Sequence, residues 1–289
     1  MQISNCRFEN LKSQICNLKS DGATKAFHFQ HGNEPSWPFY FIQHVDTEHA
    51  CLPVGTDTVT SLNRKGGSMH IPDGFLSHSI NAAAFAISAG ACAYGVKRVN
   101  RNFGEKEVPL MGVTAAFIFA AQMVNFPIAG GTSGHFLGAV FSSVLMGPWA
   151  SLLIMTIVLI VQCLGFADGG LTALGSNIFN MGVIGALGGY GIFFVLYHLS
   201  GKSRKGFFFA LAVSSWLSIV AGASAAAIEL AVSGTSPLKV ALPAMAGIHA
   251  LIGIGEAIIT TTAVSLILKT RPDLVISFAK KVALHEKTA

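Results

Sequence analysis

The chain has 289 residues, of which 52% are hydrophobic and only 11% charged, with a mean hydropathy of +0.56. That is too apolar and too sparsely charged for a soluble domain, and it predicts an all-α integral membrane protein. The net charge of +5 is no nucleic-acid patch, because the thirteen Lys and Arg after residue 68 gather in the loops between apolar runs and in the tail after the last run.

Residues 1–68 carry six basic and six acidic side chains and are neutral overall. Their longest apolar cluster, Trp37 to Ile42, is short and contains Pro38. No basic stretch leads into it and no small-residue cleavage site follows, so it does not read as a secretory signal. Neither helical nor strand periodicity is present. His28, His31, His44, His49 and Cys51 match no metal-ligand spacing. The five cysteines form no CxxC pair, and Cys92 and Cys163 read as small residues packed in apolar runs. This extension is expected to be disordered or not translated. Lys65-Gly66-Gly67-Ser68 stands just before Met69, and its codons can spell a ribosome-binding site.

At Met69-His70-Ile71-Pro72-Asp73-Gly74 the composition changes abruptly. If Met69 is the first residue, its α-amine, the peptide nitrogen of His70 and the His70 imidazole can chelate one metal ion through five- and six-membered rings. Nitrogen ligands in a plane suit Ni(II), Cu(II) or low-spin Co(II). Pro72-Asp73-Gly74 reads as a turn that folds the Met-His end back into the protein.

Seven apolar segments follow, near 77–96, 109–126, 128–146, 148–166, 174–198, 207–232 and 240–268, each compared with the roughly 20 residues that span a bilayer. The third is the weakest, because Ala129 to His135 is Gly-rich and poor helix material. It is expected to form an irregular loop lining a cavity. With seven spans, twelve of the thirteen basic residues after 68 fall on one face and only Lys239 on the other. The excess of Lys and Arg in cytoplasmic loops then predicts a cytoplasmic C-terminus and an external N-terminus.

Polar residues inside these segments are the candidates for chemistry. His135 follows the Gly131-Thr132-Ser133-Gly134 stretch, on the same face as His70. His249 and Glu256 are seven apart on one helix face; pairing, a proton relay, or packing and capping are all open. Glu229 reads as solvated near the outer end of its segment. Gln122, Asn125, Asn177 and Asn180 are expected to bond between helices or to support a site. Gly131 to Gly134 also matches the GxSG signature of rhomboid proteases, so a Ser133–His249 dyad is the alternative function. Gly201-Lys202-Ser203 is no nucleotide loop, because Leu196 stands where a glycine is required.

Three motifs carry a family resemblance: MHIPDGFLS at 69–77, QMVNFPIAGGTSGHFLG at 122–138 and GSNIFNMG at 175–182. They resemble the CbiM/NikM proteins, the substrate-capture components of energy-coupling-factor importers for cobalt and nickel. The resemblance covers 69–289 and nothing in 1–68. It implies a seven-helix fold and a transport subunit with no ATPase site of its own. It implies a metal held by the amine and peptide nitrogen of the Met-His end, that histidine's imidazole, and the histidine of GGTSGH. Here these are Met69, His70 and His135. Asp73, Asn125, Ser133, Asn180, His249 and Glu256 are the candidates to support them. The implied cargo is Co(II) or Ni(II), with HIPDG closer to nickel-type members, and no permanent cofactor. The implied partners are a transmembrane coupling protein, two ABC ATPases and a small accessory membrane protein, all at the inner membrane.

Overall fold

The computed structural model describes residues 70–105, 107–124, 126–127 and 133–275, with backbone alone at 126–127 and 133–134. They all lie in one compact unit, Asn63–Ala289. Met69, Asn125, the Ser133 side chain and the extension 1–68 lie outside the described residues.

The described chain is mostly helical, with one minimal strand pair and short connecting stretches. In order come α1 (His78–Asn102), α2 (Glu107–Gln122), α3 (Ala139–Met146), α4 (Pro148–Phe166), α5 (Leu174–Ile178), a π-helix (Phe179–Gly188), α6 (Gly189–Leu199), α7 (Arg204–Val232) and α8 (Leu238–Thr270). The strands Phe126–Pro127 and Ser133–Gly134 pair antiparallel, Phe126 with Gly134 and Pro127 with Ser133. Sequence signals set the helix starts. The Ser77 hydroxyl accepts from Ile80 N and the Ser203 hydroxyl from Gly206 N, and Pro148 opens α4.

Among the described residues, five helices are long and apolar enough to cross a membrane: α1, α4, the continuous run Leu174–Leu199, α7 and α8. The protein is therefore a multi-pass membrane protein. α2 is a shorter apolar helix. The third apolar segment of the sequence ends in α3, whose eight residues reach only about 12 Å. Gly147, at φ 83°, turns the chain from α3 straight into α4.

α3 is nonetheless the centre of the bundle, and each of its residues is buried. Its serines and Ser151 of α4 add side-chain hydrogen bonds to helix carbonyls. Ser143 Oγ reaches Ala139 O and, on the π-helix, Ala186 O at 3.1 Å, while Ser151 Oγ reaches Ala139 O at 2.9 Å. Around α3 the packing is close because small residues permit it. A Cβ on Gly182 would lie 2.7 Å from Leu152 Cδ1, and one on Gly189 2.6 Å from Val140 Cγ2. α7 and α8 pack along their length, with Trp216 Nε1 donating to Ala250 O.

One end of the bundle is defined by contacts between distant segments. Ser77 N donates to Ser233 Oγ, Thr235 Oγ1 to Phe75 O, and Gly170 N to Ile71 O. This end joins the starts of α1, α5 and α8 to the ends of α4 and α7. Apart from Lys239, the described Lys and Arg residues lie at the opposite helix ends.

Candidate metal centre

Residues 70–74 form a hook ahead of α1. Pro72 fixes one backbone angle, and Gly74 adopts φ 85°, a value open to glycine at little cost. The hook is fastened to the turn between α4 and α5. Asp73 Oδ1 accepts from Thr172 N at 2.7 Å and from Thr172 Oγ1 at 2.6 Å. Asn177 on α5 accepts from Ile71 N at 3.0 Å and donates to Ile71 O at 3.1 Å. The turn fits only because two glycines form it. A Cβ on Gly170 would lie 2.3 Å from Asp73 N, and one on Gly169 3.0 Å from His70 Cβ.

This places His70 inside the protein, at 6% exposure. Its Nδ1 lies 3.2 Å from Asp168 Oδ2, a carboxylate that is itself buried. Nδ1 is also the nitrogen that closes a six-membered ring with the residue's own peptide nitrogen.

The second histidine arrives on the broken segment between α2 and α3. His135 faces His70 with ring centroids 5.6 Å apart and planes tilted by 53°. Its Nδ1 stands 3.1 Å from Phe136 O. A carbonyl only accepts, so this geometry puts the proton on Nδ1 and leaves the Nε2 lone pair for a metal.

The backbone just after His135 is held from two sides. Glu256 on α8, 2% exposed, accepts from Leu137 N at 2.7 Å and from Gly138 N at 2.9 Å. Gln122 on α2 donates to Leu137 O at 2.8 Å, and Gln162 on α4 donates to Gln122 Oε1 at 2.8 Å. Three helices, α2, α4 and α8, thus fix one non-helical turn. Gly138 takes φ 75°, and a Cβ there would lie 2.8 Å from Phe136 Cε1.

Several sequence expectations change against this geometry. His249 and Glu256 form no ion pair. The Glu256 oxygens are taken by the backbone of the broken segment, and His249 Nδ1 stands 2.8 Å from Met245 O of its own helix. Glu229 is half-buried and bonded to Asn180 Nδ2 at 2.9 Å, not simply solvated. That bond commits Asn180 Nδ2 to Glu229. Asp73 holds the hook through Thr172. Met69, Asn125 and the Ser133 side chain lie outside the described residues.

Three site residues escaped the sequence reading. Asp168 is an acidic residue at the end of an apolar run, the signal that marks functional positions in membrane proteins. Gln162 is a buried amide inside a span. Gly170 carried no signal beyond the Gly169-Gly170 pair. Among the described residues, no cluster of three or more His, Cys, Asp or Glu side chains is placed to hold a metal.

Fold and site together define a multi-pass membrane protein with two histidines facing each other at one end of its helix bundle. The family described as "Cobalt uptake substrate-specific transmembrane region", CbiM, matches residues 70–274. The chain belongs to the CbiM family. It is 42% identical over 209 residues to a putative fused nickel transport protein NikMN of Archaeoglobus fulgidus, covering 72% of this chain and 68% of that protein. It is 39% identical over 211 residues to a putative metal transport protein of Haloquadratum walsbyi, covering 72% and 93%. A crystal structure of a truncated transition metal transporter is similar at a TM-score of 0.63 and 38% identity, covering 70% of this chain and 99% of that one.

Proposed function

We propose that this chain is the substrate-capture subunit of an energy-coupling-factor ABC importer, and that its cargo is Ni(II) or Co(II). The observation that carries the reading is the approach of His70 and His135 to a centroid distance of 5.6 Å. They come from opposite sides of α1 and α2 in sequence, and each sits on backbone that side chains hold in place.

The cation is bound by four nitrogens. The Met69 amine, the His70 peptide nitrogen and His70 Nδ1 form the fused rings, and His135 Nε2 takes the fourth position. Such a set favours a square plane, the geometry preferred by d8 Ni(II). Asp168, beside the same His70 Nδ1, supplies negative charge against the cation. Capture replaces the cation's water by these ligands and releases protons from those that are protonated.

The amine ligand requires a free end, so the mature protein begins at Met69. The charge pattern supports seven passes, with the centre on the outer face and the C-terminus in the cytoplasm. Transport is then driven by partner chains: a transmembrane coupling protein and two ATPases, with a small accessory membrane protein.

The test is titration of Ni(II) and Co(II) into the purified chain starting at Met69. The reading expects stoichiometric binding that His70→Ala or His135→Ala abolishes. Stoichiometric binding retained by His135→Ala overturns it.

A further inference from the structure

We propose that Asn177 is a positioning residue for metal capture, acting with Gly170 as a socket that seats the chain's own residues 70–73. This rests on the metal-capture reading above.

The argument starts from the peptide that leaves His70. Its nitrogen belongs to Ile71, and its plane ends the backbone on which the His70 ring and peptide nitrogen hang. Asn177 Oδ1 accepts from that nitrogen at 3.0 Å, and Asn177 Nδ2 donates to the next carbonyl, Ile71 O, at 3.1 Å. One side chain therefore grips two consecutive peptide planes and fixes the backbone angles of Ile71 between them. Gly170 N donates to the same carbonyl. Only an amide offers one acceptor and one donor at this spacing; a carboxylate would repel Ile71 O and an alkyl group would bond to neither.

The socket also has a shape. Asn177 is 5% exposed and stands on α5, near the start of the continuous run Leu174–Leu199. Gly170 is buried under the hook, with no room for a methyl group beside Asp73 N and Pro72 C. The bonds span 106 residues of sequence, so they do not belong to local folding of the hook. A chelate made partly of backbone has no side-chain torsions to spare, and its ligands are placed only as well as the backbone is. Displacing the hook therefore tilts two of the ligand nitrogens together, without touching either histidine.

The experiment uses residues 69–289, the part of the chain that contains the whole family match and lies within a compact unit. Three variants, Asn177→Ala, Asn177→Asp and Gly170→Ala, are compared with the parent. The readouts are the Ni(II) dissociation constant, the ligand-field absorption of bound Ni(II), and the melting temperature of the metal-free protein. Asn177→Ala is expected to weaken Ni(II) binding by at least about tenfold, as loss of a partner that orients a metal ligand does, and to shift the ligand-field band. Asn177→Asp keeps the acceptor and is expected to fall between it and the parent. Gly170→Ala is expected to match Asn177→Ala.

If Asn177→Ala does not fold, the other two variants carry the test. Affinity and band both unchanged in the folded variants would overturn the proposal. So would weaker binding with an unchanged band and a lowered melting temperature, which marks a purely structural role. A parent that binds no Ni(II) overturns the metal-capture reading itself and this inference with it.

Discussion

Residues 70–73 and residues 135–138 are both non-helical backbone at one end of an apolar bundle, yet they are fastened differently. The first stretch is a hook held by a neutral amide, a backbone N–H and an exposed turn at Asp73. The second is held by a buried carboxylate that takes two consecutive N–H groups, and by a chain of two glutamines. Depth explains the difference. Leu137 is 4% exposed, and an unpaired backbone group in that setting costs several kcal/mol. Asp73, by contrast, reaches the surface, where water shares the task. The His135 half of the centre is thus built into the bundle through α8, whereas the His70 half is docked onto it.

The largest effect expected from this comparison is at the histidines themselves. His70→Ala and His135→Ala each remove a ligand from one half, and each is predicted to weaken Ni(II) binding by more than about a hundredfold, beyond what losing an orienting partner costs. Titration calorimetry reads this directly, and near-native binding by either variant breaks the pairing of the two halves.

Next comes the anchor of the built-in half. Glu256→Ala leaves Leu137 N and Gly138 N without an acceptor, at about 1–3 kcal/mol each. It is predicted to lower the melting temperature of the metal-free protein by several degrees as well as to weaken binding. Glu256→Gln keeps one acceptor and should do about half as much. A Glu256→Ala protein as stable as the parent would show that the carboxylate is not what holds the turn.

Asp168→Asn probes the docked half more gently. It keeps the size of the group beside His70 Nδ1 and removes the charge. A loss of about tenfold in affinity with little change in melting temperature is expected. The smallest effect is at Cys92, whose sulfur lies 3.3 Å from Thr156 Oγ1, away from both halves. Cys92→Ser is predicted to leave binding unchanged within error, and a clear loss would mean that the centre extends along α1.

Most of the spans were legible because hydropathy needs no partner to be read. The apolar segments at 148–166, 174–198, 207–232 and 240–268 appear as helices within a few residues of their expected ends. The segment at 128–146 was legible as the odd one, since Gly130, Gly131 and Gly134 make poor helix. That it ends in an eight-residue helix wrapped by the rest of the bundle was not legible, because burial of α3 depends on what surrounds it. At the centre, His70 and His135 stood out as polar groups beside turn signals. Asn177 and Glu256 stood out only as buried polar groups. Their partners are backbone atoms 106 and 118–119 residues away, and backbone has no residue-specific signal. The choice between pairing, relay and capping for His249 and Glu256 was left open for that reason: seven-residue spacing aligns two side chains on a helix but does not weigh a distant N–H against a near imidazole.

The central claim is that the docked half ends in a free amine at Met69. An internal Met69 has a peptide nitrogen in its place, far less basic and carrying more chain. Ni(II) is to be titrated into the 289-residue protein, into the protein starting at Met69, and into a form of the latter with one residue inserted between Met69 and His70. Tight binding is predicted only when Met69 comes first and His70 second. The 289-residue protein should bind at least about a hundredfold more weakly than the form starting at Met69, because it lacks a ligand and not merely an orienting partner. The insertion should impair binding by breaking the fused rings. Equal affinities for the first two forms would contradict the account, because the amine would then not be a ligand.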